Sequence, residues 1–219
     1  MADSEVQICN AALSRIGQSL LLDAAAPDIA DAAAAAGTPV AEQCALWYPR
    51  ARDATLRRYA WPFATLRTTL AVVAGETRSD WSFVYAYPSD ALAVRFVTRP
   101  GIRNPRPSDR APTRIEARKD PVAGDIVGKL ILCDVEEAEI SYTVQVENVA
   151  AFDSDFEDAL VWRLASDLAR ALIKGKEGAG LADEYAQWFE WACRVAGAAA
   201  QNEETDELEQ PSEFERARN

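Results

Sequence analysis

The stretch from Tyr48 to Ala64, YPRARDATLRRYAWPFA, decides how the rest of the chain is read. Tyr48, Leu56 and Tyr59 recur at helical spacing, Ala51 and Ala60 fill the same stripe, and the residues between them are basic or small. One face is therefore apolar and the other wet, the pattern of a helix laid on a core. Proline disfavours helix at the residue before it, so Trp61-Pro62-Phe63 should close the helix at about Trp61 and leave two aromatics where it meets the next element.

Upstream, Ser4 is placed to cap a first helix whose apolar positions Val6, Cys9, Leu13 and Ile16 run to Gly17. The alanine-rich segment 20–37 reads either as a loop holding a short helix around Ile29 to Ala36, ended by Gly37, or equally as a mobile insertion. Thr38-Pro39 supplies a cap and an N1 proline for the organising helix, which Pro49 is expected to kink near Tyr48.

Downstream the periodicity changes from helical to alternating. Trp81, Phe83, Tyr85 and Tyr87 fall on one face of a strand, and Leu92, Val94 and Phe96 alternate with Ala93, Arg95 and Val97 in a second. Residues 99–113 hold four prolines and four arginines (Arg99, Arg103, Arg106 and Arg110), a long loop of the kind that is uncommon unless it binds something. Ile115 and Ala117 mark a short strand, and Ile126 to Cys133 another with a bend at Gly128. In the last strand Ile140, Tyr142, Val144 and Val146 are expected inward and Glu139, Ser141, Thr143 and Gln145 outward. The intervening turns are too short for helical crossovers, which makes this middle part antiparallel.

Helix returns at Ser154, where Ser154 and Glu157 have capping-box spacing and Phe156, Leu160, Leu164, Leu168 and Leu172 form one stripe. GKEGAG, at 175–180, is expected to turn the chain into a second helix with Leu181, Tyr185, Trp188, Ala192, Val195 and Ala199 in heptad register. That helix has a second apolar side in Phe189, Trp191 and Cys193, more aromatic surface than one buried stripe requires. Residues 201–219 carry seven acids and two arginines without periodicity, although Phe214, Arg216 and Arg218 give the segment an aromatic-basic end suited to ordering on a partner. The chain thus divides into N-terminal helices (1–70), an antiparallel β-domain (71–147), a C-terminal helical hairpin (148–200) and an acidic tail (201–219), an α+β fold in which an antiparallel helical bundle carries an inserted antiparallel β-domain.

Composition narrows the function. With 219 residues and a net charge of −12, the chain is unsuited to general affinity for phosphates or anionic membrane, although 95–119 alone carries eight basic residues against two acidic. Four well-separated cysteines and no histidine exclude the usual zinc spacings and a Cys–His nucleophile pair, and reduced thiols in a cytosol are expected. The N-terminus lacks an apolar signal region, and no run of apolar residues is long enough for a membrane span, so no membrane partner is expected. KGKEG, at 174–178, lacks P-loop spacing, and Asp153 to Glu157 lacks the glycine and terminal glutamate of a calcium loop. No catalytic, metal or cofactor site is nominated, and an enzyme is not expected.

The order of segments resembles a known family, the tail tubular protein A of short-tailed phages (podoviruses), the head-to-tail adaptor or connector. The resemblance rests on Asn10-Ala-Ala-Leu-Ser-Arg-Ile-Gly17; on Tyr48-Pro-Arg-Ala-Arg-Asp53 leading to Trp61-Pro-Phe-Ala64; on Phe83-Val-Tyr-Ala-Tyr-Pro88 with Asp90; and on Ile140-Ser-Tyr142, Phe152-Asp153, Phe156 to Leu160 and Arg163-Leu-Ala165. Phe214 to Arg218 resembles the family's C-terminal aromatic-x-x-Ala-Arg. The chain departs from the family in having Trp-Pro where a Pro-Trp order is typical, and in a long alanine-rich segment at 24–37.

The resemblance implies a structural virion protein made in the host cytoplasm. It implies a homo-oligomeric ring of twelve copies between the portal protein and the tail nozzle protein, with double-stranded DNA passing through the lumen without specific binding. Tyr185, Trp188, Phe189 and Trp191, with the four loop arginines and Phe214, Arg216 and Arg218, are then the candidate oligomer or partner contacts. The alternatives are a monomeric head-completion or neck assembly factor, and a helical-bundle enzyme or regulator with a β insertion.

Overall fold

The structure is a computed structural model that describes residues 2, 4–18, 28–120 and 123–203, the last four as backbone. Three helices open it: α1 (Glu5–Arg15), α2 (Ile29–Ala36) and α3 (Pro39–Arg58). Six strands follow, β1 (Thr65–Thr69), β2 (Phe83–Ala86), β3 (Ala91–Thr98), β4 (Thr113–Lys119), β5 (Ile126–Cys133) and β6 (Glu139–Val144), and then α4 (Ser154–Leu172) and α5 (Gly175–Glu203). The expected α+β arrangement is present, with the β structure inserted between helices that pack together.

The helix starts follow their capping chemistry. Ser4, Asp28 and Thr38 each accept a hydrogen bond from a backbone N–H in the first turn of α1, α2 and α3. Gly37 ends α2 in the left-handed region that a residue with a Cβ adopts reluctantly. α3 continues through Pro49 and closes at Arg58, about a turn before Trp61, because Tyr59 already takes an extended backbone. α4 differs from its expected start: Asp153 occupies the cap position, and the Glu157 carboxylate accepts from the backbone nitrogen of Ala2 at 3.0 and 2.9 Å instead of closing a capping box. The turn between α4 and α5 is also shorter than expected, so Gly175 to Gly180 lie inside α5.

α4 is the central helix. Phe156, Leu160, Leu164 and Leu168 are fully buried, and α1, α3 and α5 all pack on it. Trp61 sits where α3 gives way to the sheets, 2% exposed, with its indole N–H donating to Thr55 O at 2.8 Å. Its ring meets Phe156 edge-on at 5.1 Å; Phe63 meets Phe156 at 5.1 Å and Phe152 at 5.8 Å, while Phe152 meets Phe156 at 4.6 Å. The chain leaves the bundle and re-enters it through one aromatic cluster.

Between those crossings lie two three-stranded antiparallel sheets, ordered β1-β6-β3 and β2-β5-β4. β1 pairs along β6 from Thr65 to Thr69, inside the 1–70 stretch that the sequence assigned to helices. It has β-branched threonines but no apolar alternation, and Leu66 is exposed, so periodicity does not mark it. β2 is shorter than expected. Tyr85, Phe83 and Tyr87 face one small core, but Trp81 precedes the strand and packs with Val84, Leu130 and Leu132 in another. β6 is the middle strand of its sheet and is covered on both faces, so Ser141 and Thr143 are buried as well as Ile140 and Tyr142.

Irregularities in β3 at Ala91/Ala93 and Val94/Phe96 interrupt its alternation and aim Arg95 at the bundle. The guanidinium donates to Leu56 O at 2.8 Å, to Tyr59 O at 2.5 Å and to Thr143 Oγ1 at 2.7 Å. It thus satisfies carbonyls at the C-terminal end of α3, where the helix dipole favours a cation. Burial lowers the pKa of Arg95 from its usual value, as expected for a cation removed from water without a carboxylate beside it.

Two substitutions test this framework by urea denaturation. Arg95→Met leaves the α3 carbonyls unpaired and is expected to cost about 2–3 kcal/mol, with Arg95→Lys restoring only part because an ammonium lacks the planar fork. At Gly178 an added Cβ would lie 2.0 Å from the backbone oxygen of Ile173. Gly178→Ala is therefore expected to destabilise by roughly 1–3 kcal/mol, since this clash outweighs the gain of up to about 1 kcal/mol in helix propensity.

Candidate functional site

Among the α5 residues whose side chains are described, the buried apolar positions are Ala182, Tyr185, Phe189, Ala192, Cys193 and Ala196. Ala182, Tyr185, Phe189, Ala192 and Ala196 keep a three-four spacing, with Cys193 beside them, but in a register rotated from the expected one. It leaves Trp188 and Val195 facing outward and turns Phe189 and Cys193 inward.

The four aromatics nominated on α5 consequently divide. Tyr185 is 9% exposed and donates its hydroxyl proton to Arg15 O at 2.8 Å, and Phe189 is 4% exposed; both serve the core. Trp188 and Trp191 are 43% and 51% exposed, and Val195 continues the ridge one turn further on. Trp188 stacks on Trp162 of α4 at 5.7 Å and meets Trp191 nearly perpendicularly at 5.8 Å. The Arg15 guanidinium lies 3.7 Å from the centroid of Trp162 and pairs with Asp158 at 3.0 Å. Three helices therefore hold the ridge in place, so its side chains lose little freedom on contact with a partner. Tryptophan anchors of this kind dominate protein interfaces.

The arginine-rich loop forms the second surface. Arg99, Arg103, Arg106 and Arg110 are exposed, and none of them pairs with a carboxylate among the described residues, although eleven ion pairs occur elsewhere among them. The loop is nevertheless anchored. Arg67, itself paired with Glu139 at 2.6 Å, donates to Arg103 O; Glu139 accepts from Gly101 N; and Asp109 accepts from Arg106 N. The Arg110 guanidinium lies 4.8 Å from the Phe96 ring centroid. Arg99 and Arg110 border a cleft of about 390 Å³ with Ile102, Pro112 and Val135 in its wall.

Two exposed apolar features had no clear sequence signal. Leu46, 45% exposed, lies beside Trp47 on the outer side of α3, where the indole N–H donates to Gln43 and Arg50 stands over the ring. Ile115, Ile126 and Val127 are exposed on the β4–β5 hairpin, because the first half of β5 extends past the cores that bury its second half. Strand periodicity reports alternation, not where the covering layer stops. Phe214, Arg216 and Arg218 lie outside the described residues.

Among the described residues no group of three or more His, Cys, Asp or Glu side chains is arranged to hold a metal, and no helix is long and apolar enough to cross a membrane. All four cysteines are buried free thiols; burial pushes Cys193 up to about 11 and keeps Cys9 protonated. No protein-family model matches the chain, and no curated protein does.

The division of the α5 aromatics predicts two classes of mutant. Trp188→Ser and Trp191→Ser should each change unfolding free energy by no more than about 0.5–1 kcal/mol, whereas Phe189→Ala should cost about 3–5 kcal/mol and Tyr185→Phe about 1 kcal/mol. Equal losses at Trp188 and Phe189 in chemical denaturation would remove the basis for treating the ridge as a surface feature.

Proposed function

We propose that the chain is a structural virion protein, the head-to-tail adaptor of a short-tailed phage. Copies form a ring between the portal and the tail nozzle, and the genome passes through its centre. The reading rests on the order of segments that resembles the tail tubular protein A family, and one observation carries it further: a rigid Trp188–Trp191–Val195 ridge left open to solvent in the single chain. Covering such a ridge with the next copy gives a head-to-tail contact, and a contact of that kind closes into a ring when its rotation permits. A heterologous contact needs a second, different surface, and Leu46 with Trp47, or the β4–β5 hairpin, offers one. The net charge of −12 suits a conduit that lets DNA pass without holding it.

The test is assembly on a portal. Purified chain mixed with the portal protein of the phage that encodes it should give electron-microscopy class averages with a twelve-fold ring added to the portal. The Trp188→Ser/Trp191→Ser double variant, melting within about 2–4 °C of the parent, should fail to complete that ring. A parent chain that leaves the portal unchanged, or a double variant that assembles normally, would refute the proposal.

A further inference from the structure

The arginine loop and the acidic tail are complementary segments of one chain. From 99 to 112 the loop carries four arginines against one acid, and its guanidiniums have no carboxylate partner among the described residues. From 204 to 219 the sequence carries six acids against two arginines, with Phe214 flanked by Glu213 and Glu215. The cleft beside the loop has the matching chemistry, with Arg99 and Arg110 at its border and Ile102, Pro112 and Val135 in its wall. The carboxylates of Asp109 and Asp134 also line the cleft, Asp109 accepting from Arg106 N at 2.9 Å and Asp134 from Ser82 N and Oγ at 2.8 and 3.0 Å, so the positive excess lies in the loop as a whole, four arginines against these two acids. We infer that the acidic tail of the same chain docks on this loop, with Phe214 in the cleft and Glu213 and Glu215 against Arg99 and Arg110.

The geometry permits it. Near its C-terminal end α5 passes over the Tyr59 ring, which an added Cβ at Gly197 would meet at 3.2 Å, and Tyr59 O accepts from Arg95 of β3. From Gly197 to the end of α5 is six residues, about 9 Å of helix. From Arg95 to Arg99 is four residues, about 13 Å of strand. The eleven residues from Glu204 to Phe214 reach about 36 Å when extended, against about 22 Å for the two legs laid end to end. Tethering at this distance supplies an effective concentration in the millimolar range, so charge-assisted contacts and one aromatic anchor suffice for occupancy. The inference concerns the isolated chain and does not depend on the adaptor reading.

Carbodiimide coupling on the full-length chain tests it. In an Arg106→Lys/Arg110→Lys variant the loop charge is kept and amines are provided for coupling to tail carboxylates. Mass spectrometry should find tail peptides joined to position 106 or 110 about fivefold or more above those joined to Lys174 or Lys176, with the excess falling severalfold at about 0.5 M salt. Phe214→Ser, which leaves every carboxylate in place, should reduce the same product severalfold. Mixing isotope-labelled and unlabelled chains should give products within one label only. Mixed-label products would overturn the inference in favour of a second copy, and uniform coupling to all lysines would overturn it outright. Loop protection from hydrogen exchange that needs a duplex oligonucleotide rather than the tail would overturn it in favour of nucleic acid.

Discussion

The structure depends on one aromatic cluster at the base of the β insertion. Trp61 and Phe63 stand at the exit from the helical bundle, Phe152 and Phe156 at the return, and their rings pack on one another edge-on or tilted. An insertion of more than eighty residues has its two ends held together by these contacts, so the loop-closure entropy of the β-domain is offset within the core of the bundle. Arg95 adds a third tie from β3 to the end of α3. The three ties restrict movement of the sheets relative to the helices, because shifting them exposes aromatic surface and strips carbonyl oxygens of their donor.

That constraint shapes the exterior. Since α4 supplies the surface on which α1, α3 and α5 pack, the remaining apolar material on α5 is left partly exposed. Trp188 is held against Trp162 and Trp191, and Tyr185 below them is tied to the backbone of Arg15. The ridge is thus built on packed helices and not on a loop. Charge is divided in a similar way: ion pairs such as Arg58–Glu190 and Arg170–Asp183 join neighbouring helices, while the arginines at 99–110 are displayed on a loop anchored through its backbone. Surface pairs of the first kind contribute little stability singly. The displayed arginines are available to a partner with carboxylates to offer.

Much of the fold was legible from local chemistry. Ser4 and Thr38 cap the helices they precede, Gly37 ends the short alanine helix, and the stripe from Phe156 to Leu168 is buried throughout, because caps and helical periodicity involve residues only three or four apart. The candidate site was legible in content but not in orientation. Excess aromatic surface on the last helix was apparent from composition, yet which rings face water depends on the rotation of α5 against α4 and α1. Phe189 and Trp188 are adjacent in sequence and differ tenfold in exposure, at 4% and 43%.

The sequence by itself determined the starts of the first three helices, the change from helical to alternating periodicity after Phe63, the antiparallel character of the strands and the clustering of positive charge at 95–119, since each follows from short-range sterics, hydrogen bonding or a count of charges. Tertiary structure alone decided the pairing of β1 with β6, the burial of Ser141 and Thr143, the turn of Arg95 toward α3 and the exposure of Trp188 and Trp191. Those outcomes depend on which faces meet across long sequence separations. A pattern of alternating residues records that a segment has two faces, and only packing determines what covers each.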